Sequence, residues 1–251
     1  MNLFHRALAE IRIVARLLPP WVFARWALGL LFAAPYVFRQ RSLGPVDRLF
    51  GESFSFEWKG RKIHIEKSDF GIVREIFGHH CYVSHSDIGN ARNILDLGCN
   101  TGLFTAFALL EAPEARILAV DAQWDLVEGA RRNLAQLDSN RVTLECAVIG
   151  DHETDWVRSL RVRNPNLGKF DLGGYINSVG HCDFLKCDVE GAEFSVFRGD
   201  LSWTDAVGAM AIEVHPAHGD SVEIETSLRR AGFCVVNGRH GALEYMLCKR
   251  S

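Results

Sequence analysis

"NILDLGCNTGLFTAFALL", residues 93–110, decides the fold. It opens as an apolar run of strand length. It meets Asp96 and then places Gly98, Asn100 and Gly102 before the next apolar run. A strand that ends in a carboxylate and glycines, and turns at once into a helix, has the form of the ligand-binding corner of a βαβ unit. Glycines let the backbone turn tightly and come close to a bound molecule. The spacing is not the GxGxxG that seats a pyrophosphate on a helix N-terminus. Counted from Gly98 it reads G-C-N-T-G, with Asp96 two positions ahead. A carboxylate there repels a diphosphate and favours a cation.

The stretches that follow extend this pattern. "ILAVDAQ", 117–123, ends a second strand in Asp121, 19 residues past Gly102. That is where a ribose-binding acid sits in such units. "ECAVIGD", 145–151, ends a third strand with small side chains that suit a flat base. Together these features point to a positively charged nucleoside, S-adenosylmethionine, with its amino group and sulfonium. The expected cofactor residues are Asp96, Gly98, Cys99, Asn100, Gly102, Asp121, Ala122, Cys146 and Ala147, with Val148 a further lining candidate and Asp188 from a later motif. The plainer reading is a phosphate-type or ligand-free Rossmann turn.

Beyond the turn the rhythm is strand, helix, strand. Strands are predicted at 93–97, 117–121, 142–149, 184–188, 209–215, 233–237 and 242–248, and helices at 103–111, 123–137, 192–198 and 221–231. Alternation of these lengths gives an α/β fold with a mostly parallel sheet. The last two strands are separated only by turn-forming residues around Gly238 and Gly241, so they must be antiparallel. A parallel sheet with one C-terminal antiparallel strand resembles the seven-stranded, Rossmann-like class I methyltransferase sheet.

The second dense stretch is "FLKCDVEGAEFSVFRGD", 184–200. Lys186 lies inside a strand expected to be buried on both faces and needs an acid or a ligand beside it. With "ILDLGCNTGLFT" and "AIEVHP", this stretch resembles the FkbM-type S-adenosylmethionine-dependent methyltransferases over about residues 55–250. The resemblance implies O-methylation of hydroxyls on sugars, polyketides and related metabolites. It also implies that Asp96, Gly98, Asn100, Gly102 and Asp121 hold the cofactor.

Methyl transfer to an alcohol needs alignment of donor and acceptor and removal of the hydroxyl proton. The groups expected at the ends of the fourth and fifth strands are Asp188, Glu190, Glu213 and His215. His215 has the pKa range of a base near neutrality, or it orients Glu213. Asp188 and Glu213 could bind a hard cation such as magnesium, although no dedicated metal site is expected. Glu190 would otherwise cap the following helix. Glu193 is expected on that helix's face or paired with Lys186. His79, His80 and His240 read as surface residues. Residues 151–183 are polar and glycine-rich and would line the acceptor side, without a recognisable substrate signature. N- or C-methylation, a cofactor-binding module without catalysis, and a nicotinamide dehydrogenase are the alternatives. No N-P-P-Y-like motif follows the fourth strand, which counts against nitrogen.

Composition separates two parts, 1–50 and 51–251. Residues 1–50 hold seven arginines and two acids, whereas the remainder holds 21 basic and 29 acidic residues. The overall net charge of −3 disfavours a general nucleic-acid binder. The seven cysteines form no CxxC pair and read as reduced thiols of a cytosolic protein. Leu3, Ala7, Leu8, Ile11, Ala15 and Leu18 recur at helical spacing up to Pro19 and Pro20. "WVFARWALGLLFAAPYVF", 21–38, follows, closed by Arg39 and Arg41. Its uninterrupted apolar run is 13 residues, short of the ~20 that span a bilayer. An aromatic-rich, arginine-flanked segment suits a helix lying in the membrane interface, which would make the protein peripheral. A helical cap on the domain and a targeting segment are the alternatives. The hairpin 54–65, turning at Lys59-Gly60, precedes a short helix, "GIVREIF".

Overall fold

The computed structural model describes residues 3–40, 43–151, 155–240 and 243–250. Arg41, Gly241 and residues 152–154, which the sequence reading touched, lie outside them. The chain forms two compact units, Met1–Cys81 and Tyr82–Ser251. The first therefore runs past the 50/51 boundary expected from composition.

In the first unit, α1 (Leu3–Leu17) stops before the prolines and α2 (Pro20–Gln40) starts on one. Proline is favoured at the first helical position because its missing N–H had no partner there. A short α3 (Gly44–Asp47) leads to the hairpin of β1 (Ser53–Trp58) and β2 (Arg61–Glu66). Lys59 and Gly60 both take positive φ, 48° and 75°, as a two-residue hairpin turn requires. Phe54, Phe56, Ile63 and Ile65 alternate into the core. Phe56 stacks edge-on against Phe77 and Phe54 against Phe70. These contacts assign the hairpin to the first unit. α4 (Phe70–Val73) continues into a wider turn at Arg74–Gly78.

Among the described residues the second unit has eight strands. In chain order they are β3 (Asn93–Leu97), β4 (Arg116–Asp121), β5 (Val142–Val148), β6 (Gly168–Lys169), β7 (Cys182–Cys187), β8 (Val207–Val214), β9 (Phe233–His240) and β10 (Leu243–Arg250). They lie in the order β6-β5-β4-β3-β7-β8-β10-β9. β10 is antiparallel to both β8 and β9. The sheet therefore has the seven expected strands and one more. The extra strand, β6, pairs only Gly168 and Lys169 with Ala147 and Val148, too short a run to leave a period-two pattern. Strand order reverses between β3 and β7, with β4 on the far side of β3. A crevice for ligands opens at the carboxyl ends of the strands at such a switch point.

The helices are α5 (Leu103–Glu111), α6 (Trp124–Leu134), α7 (Asp155–Arg163), α8 (Leu172–Val179), α9 (Glu193–Val196) and α10 (Ser221–Arg230). Two corrections follow. The polar stretch 151–183 contains α7 and α8. α7 buries only Val157 and Leu160, and α8 only Ile176, so neither carries a strong apolar period. α8 is set by its ends: the Asp171 side chain accepts from Gly174 N, and Gly180 closes it in the left-handed region. The helix expected at 192–198 is a single turn, α9.

Candidate functional site

The turn after β3 is built on close approach. Asp188 N donates to Leu97 O at 3.0 Å, which brings the backbone leaving β7 against Gly98. A Cβ on Gly98 would lie 1.7 Å from the Asp188 carbonyl oxygen, and its φ is +75°. Only glycine fits here. Gly102, at φ +81°, sits against Ala130 of α6 and opens α5.

Asp121 ties this turn to the end of β4. Its carboxylate accepts from Asn100 N and from Gln123 N, each at 2.9 Å. Burial raises its pKa; the two backbone donors oppose that shift. Cys99 is buried, and Cys146 lies half-buried with its thiol directed to Ala122 O at 3.6 Å. Ala147 and Val148 are buried. Ala122 and Cys146 are thus the more accessible of the expected base-side residues.

Asp96 lies beneath the turn. Its carboxylate is fully buried and accepts from Thr105 Oγ1 at 2.7 Å. Lys186 lies beside it in register, with Nζ 3.2 Å from Oδ1, and also donates to Gly98 O at 2.7 Å. Burial works to lower the Lys186 pKa, but Asp96 and Asp188 overcome it and keep the ammonium charged. The charge of Asp96 is therefore compensated inside the sheet. Asp96 holds the lysine that in turn holds the glycine turn. This also answers why β7 carries a lysine.

Around Asp188 the end of β7 meets the end of β8. Asp188 and His215 are the first residues beyond their strands. Tyr82 Oη donates to Glu213 at 2.9 Å and approaches Asp188 at 3.2 Å. His215 Nε2 faces three carboxylates: Glu190 at 3.4 Å, Asp188 at 3.8 Å and Glu213 at 3.9 Å. Its other nitrogen, Nδ1, is 3.0 Å from Glu193 Oε1, which also accepts from His215 N at 2.7 Å. The Glu193 bond, opposed by burial, raises the His215 pKa to about 9. The ring is then an imidazolium at neutrality, with Nδ1 bonded to Glu193 and Nε2 turned toward the other carboxylates. Burial raises Glu213 to about 7, with Asp188 adding to the shift.

Two expectations fail here. Glu193 neither faces solvent nor pairs with Lys186: it is fully buried, and its second oxygen accepts from Gly191 N at 2.8 Å. Glu190 does not cap α9, which has no side-chain cap; it is exposed and holds φ +51°. Gly191 makes this loop possible, since a Cβ there would meet the His218 ring at 2.5 Å. Tyr82 and the positioning role of Glu193 were missed. No local signal marks Tyr82, which precedes Asp188 by 106 positions and Glu213 by 131. His79 is no free surface residue either: Glu10 lies 2.7 Å from its Nε2.

Asp188, Glu213 and His215 could hold a metal ion, since one ligand atom from each lies within 4.8 Å of the others. Two oxygens and one imidazole suit a divalent cation of intermediate hardness. Carboxyls outnumber bases at these strand ends: Asp96, Asp121, Asp188, Glu190, Glu193 and Glu213 stand against Lys186 and His215. The crevice thus suits a cationic ligand better than a diphosphate.

Comparison with known proteins agrees. Residues 96–235 match the methyltransferase FkbM domain model, more than half of the chain. Methyltransferase sdnD of Sordaria araneosa is 26% identical over 219 residues, covering 67% of this chain and 83% of that protein. The tRNA1(Val) (adenine(37)-N6)-methyltransferase of Phocaeicola vulgatus is 36% identical over 107 residues, 41% of this chain and 45% of that one. The fold is also that of the Methanococcus jannaschii fibrillarin pre-rRNA processing protein, at a TM-score of 0.51 and 12% identity, covering 80% of this chain and 84% of that one. From the glycine turn, the strand-end acids, the reversed sheet order and the domain match, we conclude that this chain belongs to the FkbM family of S-adenosylmethionine-dependent methyltransferases.

Proposed function

We propose that the protein methylates a hydroxyl, on a sugar, glycan, lipid-linked or secondary-metabolite acceptor, with Glu213 as the proton acceptor. The observation that supports this most is geometric: Glu213 and His215 stand 3.9 Å apart at the end of β8, with Tyr82 donating to Glu213 and Asp188 linking them to the glycine turn. Burial raises Glu213 to about 7. A general base is most effective when its pKa lies near the working pH. In the sequence reading His215 was a candidate base. Held as an imidazolium by Glu193, it suits a different task, facing the negative charge that grows on the acceptor oxygen.

S-adenosylmethionine, when bound, supplies an electrophilic methyl on a positively charged sulfur. In this reading the 98–102 backbone and Asp121 hold it, with Asp121 accepting from the ribose and Ala122 and Cys146 beside the base. Glu213 takes the hydroxyl proton, Tyr82 keeps that carboxylate aimed, and Asp188 flanks both. Glu193 orients His215. The acid surplus of residues 51–251 weighs against an RNA acceptor. A metal-assisted variant, with Asp188, Glu213 and His215 as ligands, has the cluster geometry in its favour.

The test is calorimetric titration with S-adenosylmethionine, followed by transfer of labelled methyl to a panel of hydroxylated acceptors with and without a chelator. Micromolar binding and an alkali-stable methyl ether support the proposal. A methylamine product, or cofactor binding without any turnover across the panel, overturns it. Loss of turnover on chelation, restored by a divalent cation, selects the metal-assisted variant.

A further inference from the structure

The strongest unexplained surface lies in the first unit. α2 carries large apolar side chains on the outside: Phe32 is 85% exposed and Trp21 73%, with Leu28, Leu31 and Tyr36 exposed beside them. Their spacing, with exposed Ala24 and Pro35 between, is that of one helix face. The opposite face is buried through Trp26, with Val14, Leu17 and Leu18 of the α1 end also in the core. The outer face is therefore not needed to hold the helix down.

Charge says what covers it. Arg25 and Arg39 are exposed on the same stripe, and Arg12 and Arg16 on α1. The two acids of residues 1–50 do not offset them. Glu10 and Asp47 are both tied inward to Arg74, at 2.7 and 2.6 Å. The surface charge of this segment is therefore strongly positive. A protein interface depletes charge at its centre, and two copies facing each other through this stripe would bring like charges together. A lipid headgroup layer takes both components, because arginine reaches outward while tryptophan, tyrosine and leucine sink to the acyl boundary. Spanning is not the alternative, since among the described residues no helix is long and apolar enough to cross a membrane.

We propose that the exposed face of α2, centred on Trp21, Leu28 and Phe32 and flanked by Arg25 and Arg39, docks on the surface of an anionic lipid bilayer. This inference is independent of the acceptor chemistry above.

The experiment is flotation of the full chain with phosphatidylcholine vesicles, with and without phosphatidylglycerol. It is read alongside tryptophan emission and light scattering of the lipid-free protein. The expected result is binding to the anionic vesicles only, weakened by salt, with a blue shift that Trp21→Phe reduces. L28D/F32D should abolish flotation while keeping the circular dichroism spectrum and S-adenosylmethionine binding. R25E/R39E should weaken it about tenfold or more. If the full chain ignores anionic vesicles, or if L28D/F32D floats like the parent, the inference fails. It also fails if the parent is a dimer that L28D/F32D dissociates, because the face would then join two copies.

Discussion

Two buried basic residues organise this molecule, and they do it differently. In the first unit Arg74 donates to Asp47 at 2.6 Å and to Glu10 at 2.7 Å, and Glu10 in turn holds His79 at 2.7 Å. Here the groups answer one another and lock α1, α3 and the turn after α4. In the second unit Lys186 meets Asp96 at 3.2 Å and Gly98 O at 2.7 Å, but Asp188, at 3.7 Å, also looks outward to His215 and Tyr82. That network is left open at the strand ends. A closed network makes a scaffold, whereas an open one keeps charge available to something that arrives. The pKa values track burial and hydrogen bonds and not this divide: burial raises Glu213 and Glu75 to about 7 and also raises Asp47, while Glu10 and Glu193 are held below their ordinary values, their bonds to His79 and His215 overcoming burial.

Four substitutions would break or sharpen this contrast. Glu213→Gln is expected to cost about 10²–10⁴ in kcat while leaving S-adenosylmethionine binding within a few fold, measured by methyl transfer and calorimetry. Arg74→Met is expected to cost roughly 3–5 kcal/mol of stability in urea, because Asp47 and Glu10 lose their shared cation, with kcat per folded molecule unchanged. His215→Gln acts on the pH profile. In the parent, Glu213 must be deprotonated and His215 protonated, so activity rises through about pH 7 and falls through about pH 9. The variant should lose the alkaline fall, and its acid limb should move upward, because the imidazolium also lowers the Glu213 pKa. Tyr82→Phe is the mildest. Its hydroxyl lowers the Glu213 pKa, so its removal should move the acid limb upward by about half to one pH unit.

What could be read from the chain followed the same divide. The strand, turn and helix at 93–111 are contiguous, and their glycines and carboxylate carry the signal in one stretch, so all three elements form as expected. Lys186 was legible as an anomaly because a lone lysine in a doubly covered strand demands a partner. That Asp96 would be the partner depends on the register of β3 against β7, which no local pattern encodes. Glu193 was misplaced for a related reason. Its sequence position resembles a helix face, but α9 begins at Glu193, and the side chain folds back over Gly191 to reach His215. α7 and α8 were missed because each buries too few residues to leave a helical apolar repeat, and α8 also carries two glycines.

The central claim is that the open cluster holds a carboxyl poised near neutrality. Carbon-13 NMR of glutamate side chains, titrated in the S-adenosylhomocysteine complex, measures it without knowledge of the acceptor. Two glutamates, Glu75 and Glu213, are raised to about 7 by burial. The account predicts two resonances titrating near pH 7, one of which disappears in Glu213→Gln. If the substitution instead removes a resonance titrating near 4.5, Glu213 is an ordinary carboxylate and the proposed base is wrong.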